Sequence, residues 1–305
     1  MARPAVAQAY PARPVRLVVG FAAGGSTDIS ARLIGQWLSE RLGQPFVIEN
    51  RPGASGNIAT ETVVRAAADG YTLLQVVPAN TINATLFEKL NFNFIRDIAP
   101  VASISREPNV MEVHPSLPAR TIPEFIAYAK ANPGKINIAS AGTGSSGHLA
   151  GELFKMMTGI DMVHVPYRGG APALTDLLGG RVEAMITAMA SSIPHIRAGR
   201  LRALGVTTAA RSQALADVPA VGEFVPGYEA SAWTGVGAPQ GTPVEIVRAL
   251  NAAINAALAD PKMQARMSEL GASAFAGSPA AFGKFIADET EKWAKVIRAA
   301  NIKAG

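Results

Sequence analysis

Two glycine-rich segments are the clearest candidates for chemistry in this sequence. The first, Ala22-Ala23-Gly24-Gly25-Ser26-Thr27-Asp28, follows an apolar run that ends at Phe21. The second, Ala141-Gly142-Thr143-Gly144-Ser145-Ser146-Gly147, follows a run that ends at Ser140. A helix pattern begins after each segment, so uncovered backbone N–H groups would stand at a helix N-terminus, where the helix dipole favours negative charge. Both segments therefore predict a site for an anion such as a carboxylate, without any arginine.

The second segment also allows a different interpretation. Gly142, Gly144 and Gly147 match the G-x-G-x-x-G fingerprint of dinucleotide-binding proteins. That fingerprint needs an acidic residue at the end of the following strand, where this sequence has Val165-Pro166-Tyr167-Arg168. No P-loop lysine follows either glycine segment. A nucleotide-dependent enzyme is therefore the alternative and not the leading hypothesis.

Residues for catalysis or metal binding are sparse. The chain has no cysteine and no Gly-x-Ser-x-Gly motif, and His114, His148, His164 and His195 lack metal-ligand spacing. His148 begins a helix behind the second glycine segment, where a capping or ligand contact is expected. A nucleophile pair of Ser145 with His148 would lack a carboxylate to orient the imidazole. We expect no catalytic residue, no metal and no cofactor, with a hydrolytic enzyme as the other alternative.

Strand and helix patterns alternate along the chain, as they do in α/β proteins. Short β-branched runs predict strands, and apolar positions at helical spacing predict helices. The predicted strands cover residues 16–21, 46–49, 71–77, 135–140, 162–165, 182–187, 201–207 and 231–237, and the helical patterns cover residues 29–42, 60–67, 121–131, 148–158, 172–178, 193–198, 242–258 and 279–300. This alternation favours parallel sheets, in which ligands bind beyond the carboxyl ends of the strands.

The order of these patterns predicts two lobes. A chain of 305 residues is long for one core, and a second complete set of strands and helices follows the first. We expect residues 10–101 and 227–305 to form lobe 1 and residues 102–226 to form lobe 2, joined by two crossovers as a hinged clam-shell. Residues 1–9 include Val6-Ala7-Gln8-Ala9, which is typical of a secretory signal peptide cleaved after Ala9. An alanine-rich tail is the alternative.

Composition and charge exclude several classes of protein. Hydrophobic residues make up 49% of the chain and charged residues 17%, which allows large cores and argues against disorder. No apolar run approaches the ~20 residues of a membrane helix. The net charge is +5, but the basic residues are scattered without interleaved aromatic residues, so nucleic acid is not the expected partner. A mild positive field would instead attract an anionic solute.

Six stretches carry a family resemblance. They are VGFAAGGSTD from Val19, ENRPGA from Glu49, DGYTLL from Asp69, GSSGHL from Gly144, VPYRGGAPA from Val165 and WTGVGAPQGTP from Trp233. In this order they resemble the Bug family, the extracytoplasmic solute receptors of tripartite tricarboxylate transporters. The resemblance implies a type II periplasmic-binding-protein fold, a periplasmic location and no enzymatic activity. It also implies a ligand that is a dicarboxylate, an amino acid or an aromatic acid.

The resemblance also implies partners and ligand contacts. The partners would be the membrane subunits of the transporter, or a sensor kinase if the protein serves signalling, and we expect a monomer. The family's two ligand-clasping loops fall on residues 21–28 and 140–145, and further residues follow the carboxyl ends of other strands. Arg168 is equally well explained as a solvated surface charge. The candidate ligand-binding residues are Phe21, Ala23, Gly24, Gly25, Ser26, Thr27, Asp28, Asn80, Thr81, Ser140, Ala141, Gly142, Thr143, Gly144, Ser145, His148, Tyr167, Arg168, Thr187 and Ala188.

Overall fold

Strands and helices alternate along most of the chain in the computed structural model, which describes residues 10–299 and 302–303. The predicted signal-peptide segment, residues 1–9, lies outside the described residues. The strands are β1 (Val15–Val19), β2 (Phe46–Asn50), β3 (Thr72–Val76), β4 (Ile98–Val113), β5 (Asn137–Ser140), β6 (Val163–Pro166), β7 (Ala184–Ala188), β8 (Arg202–Val206), β9 (Ser231–Pro239) and β10 (Ser273–Ala274). The helices are α1 (Ser26–Leu42), α2 (Asn57–Val64), α3 (Pro78–Leu86), α4 (Phe94–Asp97), α5 (Ile122–Ala131), α6 (Ser146–Thr158), α7 (Gly170–Leu178), α8 (Ile193–Arg197), α9 (Val244–Ala259), α10 (Pro261–Glu269) and α11 (Pro279–Ala299).

Two groups of parallel strands occupy the two ends of a ten-stranded sheet. The first group has the order β2-β1-β3 and the second the order β7-β5-β6. Residues Val15, Leu17 and Val19 pack on one face of β1, and Val18 packs on the other. Burial on both faces explains why this strand is rich in valine and leucine. The parallel pairing predicted from the alternation of strands and helices is confirmed.

Strands β4 and β9 run antiparallel between the two groups. Strand β9 pairs with β3 and β4, and β4 also pairs with β7 and β8. Strand β4 is 16 residues long, and its register against β9 shifts between Pro100 and Ala102 and between Ser103 and Ser105. Such bulges bend a strand and increase its twist. One strand therefore takes part in the sheet of both halves.

Some element boundaries differ from the prediction. Helices α6 and α7 begin at Ser146 and Gly170, each two residues earlier than predicted, so the glycine and serine residues before them belong to helix N-termini. Helix α10 was not predicted at all. Only Met263 and Met267 of this helix are buried, so its apolar pattern is sparse, and its start depends on the Asp260 side chain, which accepts hydrogen bonds from first-turn N–H groups.

The last long helix contacts the cores of both halves. Near its start, Phe282 packs edge-on against Trp233 of β9, with ring centroids 5.9 Å apart. Near its end, Trp293 is buried in the core that also contains Phe154 and Tyr228 of the second half. Helix α11 therefore packs against the cores of both halves. Among the described residues, we find no helix that is both long and apolar enough to cross a bilayer.

Candidate ligand-binding site

A cavity lies between the two halves, where the carboxyl ends of β1 and β3 face those of β5 and β7. Its volume is about 50 Å³, which is room for a few water molecules, so the two halves stand close together. Strands β4 and β9 form one wall. The residues that line it are Phe21, Gly25, Ser26, Thr27, Val77, Pro78, Ala79, Glu107, Ala141, Ser145, Ser146, Gly170, Thr187, Ala188, Ala232, Trp233 and Thr234.

Four helices direct their N-termini at this cavity. Helices α1 and α3 come from the first half and α6 and α7 from the second, and residues of the first turn or N-cap of each helix line the cavity. The N-caps of α1 and α7 are Gly25 and Gly169, and neither helix receives a capping hydrogen bond from a side chain. The first-turn amides and the positive ends of the helix dipoles therefore favour a negatively charged ligand.

Asp28 holds the first glycine loop in place from inside the first half. Its Oδ2 accepts hydrogen bonds from the Gly24 N–H at 2.9 Å and from Arg32 Nε at 2.8 Å, and its Oδ1 accepts one from Asn50 Nδ2 at 2.9 Å. Burial alone would raise the pKa of Asp28, but these hydrogen bonds together lower it. Asn50 Nδ2 also donates to the Phe21 carbonyl at 3.0 Å. Asp28 thus shapes the loop, and all its donors belong to its own half.

A pair of stacked histidines supports the second glycine loop. The rings of His148 and His164 stack with centroids 3.9 Å apart. His148 Nδ1 accepts a hydrogen bond from the Gly144 N–H at 3.0 Å, and His164 Nε2 bonds the Ser140 hydroxyl at 2.7 Å. Burial lowers the pKa of His148 to about 4 and that of His164 to about 3, so both rings are neutral near pH 7. The neutral form is the one that lets Nδ1 accept the loop amide.

Direct contacts join the two halves across the cavity. The Ser26 hydroxyl donates to the Ala188 carbonyl at 2.8 Å and lies 3.2 Å from the Ser191 hydroxyl. The Ala22 N–H donates to the Arg168 carbonyl at 3.2 Å. Residues of both loops singled out in the sequence line this cavity, Gly25 to Thr27 from the first half and Ala141, Ser145 and Ser146 from the second.

The structure places only some of the predicted ligand-binding residues in the lining of this cavity. A neighbouring pocket of about 240 Å³ is also lined by Phe21 and Ala141. Ala23 and Gly24 are exposed and line neither space, whereas Gly144 is buried against α3. The predicted residues that line the cavity are Phe21, Gly25, Ser26, Thr27, Ala141, Ser145, Thr187 and Ala188. Those that line the neighbouring pocket are Phe21, Ala141, Gly142, Thr143, Tyr167 and Arg168.

Asn80 and Thr81 are not brought to the cavity. The Asn80 side chain accepts from the Val77 N–H at 2.8 Å and donates to Thr60 Oγ1 at 2.9 Å, and the Thr81 hydroxyl donates to the Pro78 carbonyl at 2.7 Å. These hydrogen bonds engage both side chains with polar groups of the first half, at or beside the first turn of α3. The residues of this turn that face the cavity are the apolar ones from Val77 to Ala79.

Several lining residues were not predicted from the sequence. Gly170 and the turn that starts α7 could have been found, because Gly169-Gly170-Ala171-Pro172 is itself a glycine segment before a helix. Glu107 and the lining residues of β9 were harder to predict as part of a binding site, because no glycine segment marks them. Polar residues alternate along β4 at Ser103, Ser105, Glu107 and Asn109, a period of two that indicates one polar strand face.

Comparison with known proteins places these features in context. The family model described as "Tripartite tricarboxylate transporter family receptor" matches residues 30–302. Protein BugT of Bordetella pertussis is 39% identical over 306 residues, covering 99% of this chain and 94% of that protein. The solved structure "R. palustris Rpa4515 with adipate" is 42% identical, covers 96% of this chain and 99% of that one, and has a TM-score of 0.94.

A second solved structure, MatC (Rpa3494) from Rhodopseudomonas palustris with bound malate, is 34% identical. It covers 94% of this chain and 100% of that one, with a TM-score of 0.90. The likeness to both structures extends over nearly the full length of each chain. The predicted fold class, a two-lobed α/β fold of the periplasmic solute-binding type, is confirmed.

Proposed function

The chain belongs to the family of tripartite tricarboxylate transporter receptors, and from this premise we propose that it is a periplasmic receptor that captures one small carboxylate between two lobes. The family is extracytoplasmic, and its members are receptors. The proposal for this chain adds the ligand class, the contact residues and delivery to the membrane subunits.

The convergence of four helix N-termini on one cavity is the observation that carries this proposal. Among the described residues, the lining contains no lysine or arginine, so the attraction for an anion must come from backbone amides and hydroxyls. A hydrogen bond from such a donor to a charged acceptor contributes about 1.5–3 kcal/mol. A few converging donors therefore suffice for a carboxylate group. Two similar proteins were solved with adipate and with malate, both of which carry carboxylates.

We propose that the ligand contacts come from both lobes. Lobe 1 would comprise most of residues 10–101 and 227–299, and lobe 2 residues 102–226, with β4 and β9 passing between them and with Tyr228 and the end of α11 packing on the core of lobe 2. The contacts of Ser26 with Ala188 and of Ala22 with Arg168 would form as the lobes close. The proposed contact residues are Gly25, Ser26, Thr27, Ala141, Ser145, Ser146, Gly170, Thr187 and Ala188.

The proposed closure of the lobes also accounts for delivery of the ligand to the membrane subunits. A receptor whose closed form is stabilised by its ligand offers the membrane subunits a different surface when loaded. This role requires binding and release without turnover. We propose that the protein acts in the periplasm as a monomeric carrier for a tripartite transporter and catalyses no reaction.

Thermal shift with a panel of ligands tests the proposal. The panel contains adipate, malate, monocarboxylates, amino acids and aromatic acids, with NAD and ATP as members of the alternative class. A ligand at 100 times its dissociation constant should raise the free energy of unfolding by about 2.7 kcal/mol. Stabilisation by NAD or ATP, with no response to any carboxylate, would overturn the proposal.

A pair of variants locates the binding site. Ala188→Phe fills the cavity from the end of β7 and should abolish the shift caused by any carboxylate. Ala198→Phe adds the same ring at an exposed position beyond α8 and should leave the shift unchanged. Unchanged binding by Ala188→Phe would place the ligand elsewhere on the protein.

A further inference from the structure

Glu107 stands out among the residues that line the cavity between the lobes. Within the described part of the chain, it is the only charged side chain in that lining. It also borders an apolar cavity beneath α1 and an open pocket on the outer side of β4. Glu107 thus borders three spaces, on the β4 wall of the cavity.

In the part of the chain that the structure describes, the carboxyl group of Glu107 is buried without a hydrogen bond. The residue is 4% exposed, and we find no hydrogen bond to its carboxyl among the described residues. On its strand face, the Ser105 hydroxyl bonds Thr234 at 2.7 Å and Asn109 Oδ1 accepts from Ser146 at 3.2 Å, while Asn109 Nδ2 has no hydrogen-bond partner among the described residues. Ala232 lies opposite it on β9. Burial raises the pKa of Glu107 to about 7.

Three other charged residues of the described chain, Arg106, Arg211 and Glu229, line the outer pocket that Glu107 borders. Arg106 points to the other face of β4, where its guanidinium lies 4.1 Å from the Phe275 ring centroid. Arg211 and Glu229 share the outer pocket with Glu107, but Arg211 forms an ion pair with Glu223 at 2.7 Å. The groups facing Glu107 from α1, from the turn after β7 and from the end of α10 are not ionisable.

The ionised groups of the nearby helices do not reach the cavity lining. On α1, the Asp28 carboxylate pairs with Arg32 at 2.8 Å inside the first lobe. On α6, His148 is neutral above about pH 4 because burial lowers its pKa to that value. Among the described residues, no basic side chain lines this cavity, so none is placed to balance two negative charges there.

We propose that this cavity takes up a carboxylate together with one proton, and that the proton resides on Glu107. The proposal rests on the proposed function, since it concerns the same site. An ionised Glu107 and a carboxylate would repel each other in a buried space without a counter-ion. A neutral Glu107 instead has an O–H that donates to a ligand oxygen, which makes the residue a determinant of specificity for ligands that carry an acceptor at that end.

Calorimetric titration between about pH 6 and about pH 9, where the carboxylates of adipate or malate are ionised, tests this proposal. The ligand used is the carboxylate that stabilises the wild type most strongly. The dissociation constant should rise by up to about tenfold per pH unit above the pKa of Glu107. Titrations in buffers of different ionisation enthalpy should show uptake of up to one proton per ligand over the same range.

Two variants separate Glu107 from other buried acids. Glu107→Gln keeps a neutral donor at this position, so it should bind with an affinity that hardly changes with pH and should take up no proton. Glu112→Gln is the matched control, because Glu112 is a buried acid on the same strand that bonds Ser192 at 2.7 Å and does not line the cavity. It should keep the pH dependence of the wild type.

The outcomes distinguish this inference from the receptor function. If a carboxylate binds but wild type and Glu107→Gln show the same pH dependence and proton uptake, the role of Glu107 is refuted while the receptor function stands. If affinity instead rises with pH in the wild type, binding favours the ionised form of Glu107, and the inference is also refuted. If no carboxylate binds either protein at any pH, the receptor function itself fails.

Discussion

Replacing Gly169 with alanine should weaken ligand binding by obstructing contact between the lobes. Gly169 is the N-cap of α7, with φ of 142° and ψ of 170°. A Cβ at this position would lie 2.7 Å from the Ala22 nitrogen and 3.0 Å from the Ala22 Cβ, across the boundary between the two halves. The hydrogen bond from Ala22 N–H to the Arg168 carbonyl lies next to this contact.

The substitution should change two quantities separately, the free energy of unfolding and the ligand affinity. The backbone conformation of Gly169 is one that other residues avoid at a cost of about 1–3 kcal/mol, and that cost acts on the free energy of unfolding. We expect the contact with Ala22 to form only when the proposed lobes close, so the clash should act on ligand affinity. Losing one hydrogen bond there costs about 0.5–1.5 kcal/mol, which corresponds to a dissociation constant raised about two- to tenfold.

Gly159→Ala provides the matched control. Gly159 also has a positive φ, of 67°, but a Cβ there would meet no atom within 4 Å. Its substitution should lower the free energy of unfolding by about 1–2 kcal/mol and leave the dissociation constant unchanged. Urea unfolding and calorimetric titration of both variants measure the two quantities. If Gly169→Ala loses stability but binds its carboxylate as tightly as the wild type, close approach of the lobes at Ala22 is not part of binding.

Three further predictions concern the elements that support the site. The hydrogen bonds that lower the pKa of folded Asp28 should stabilise the protein above about pH 4, the value for an unfolded aspartate, and this contribution should be lost as the pH falls through the folded value. Urea unfolding should therefore show Asp28→Asn less stable than wild type by about 1–3 kcal/mol at about pH 7, with a smaller gap at about pH 3; an equal gap at both would contradict this role. Gly147→Ala would put a Cβ 1.9 Å from the Ile186 carbonyl oxygen, so it should lower the free energy of unfolding by more than about 3 kcal/mol or prevent folding, whereas Gly151→Ala on the same helix, with its nearest atom at 3.5 Å, should be tolerated. Equal stability of these two variants in urea would show that α6 does not pack tightly on β7. Folded His148 and His164 stay neutral down to about pH 4 and about pH 3, but unfolded histidine binds a proton below about pH 6.5, so the free energy of unfolding should fall between about pH 6.5 and about pH 4. His164→Gln should reduce this slope, and His114→Gln, whose ring bonds Ser116 outside this cluster, should not; identical slopes in all three proteins would exclude the histidine pair as the cause.

The sequence alone indicated the class of fold, the family resemblance and the two glycine loops at helix starts. Strand β1 and helix α1 could be predicted because their signals, valine-rich runs and apolar residues at helical spacing, lie within a few residues of one another. The glycine segments could be predicted as anion sites for the same reason, since a strand, a glycine loop and a helix start are all local features. The resemblance to the Bug family, now confirmed by the family model and by full-length relatives, added the order of these motifs along the chain.

The tertiary structure decided which distant residues share the cavity. Asn80 and Asp28 follow strand ends as ligand contacts would, yet both satisfy backbone groups of their own half, a distinction that depends on hydrogen-bond partners and not on position in the pattern. Glu107 precedes a proline in a segment whose strand signal, an alternation of polar residues, is weak. It becomes part of the cavity wall only because β4 pairs with β9 on one side and continues into the second half. Periodicity reports which face of an element is buried, but the partner that buries it is chosen by strand pairing between residues far apart in the chain.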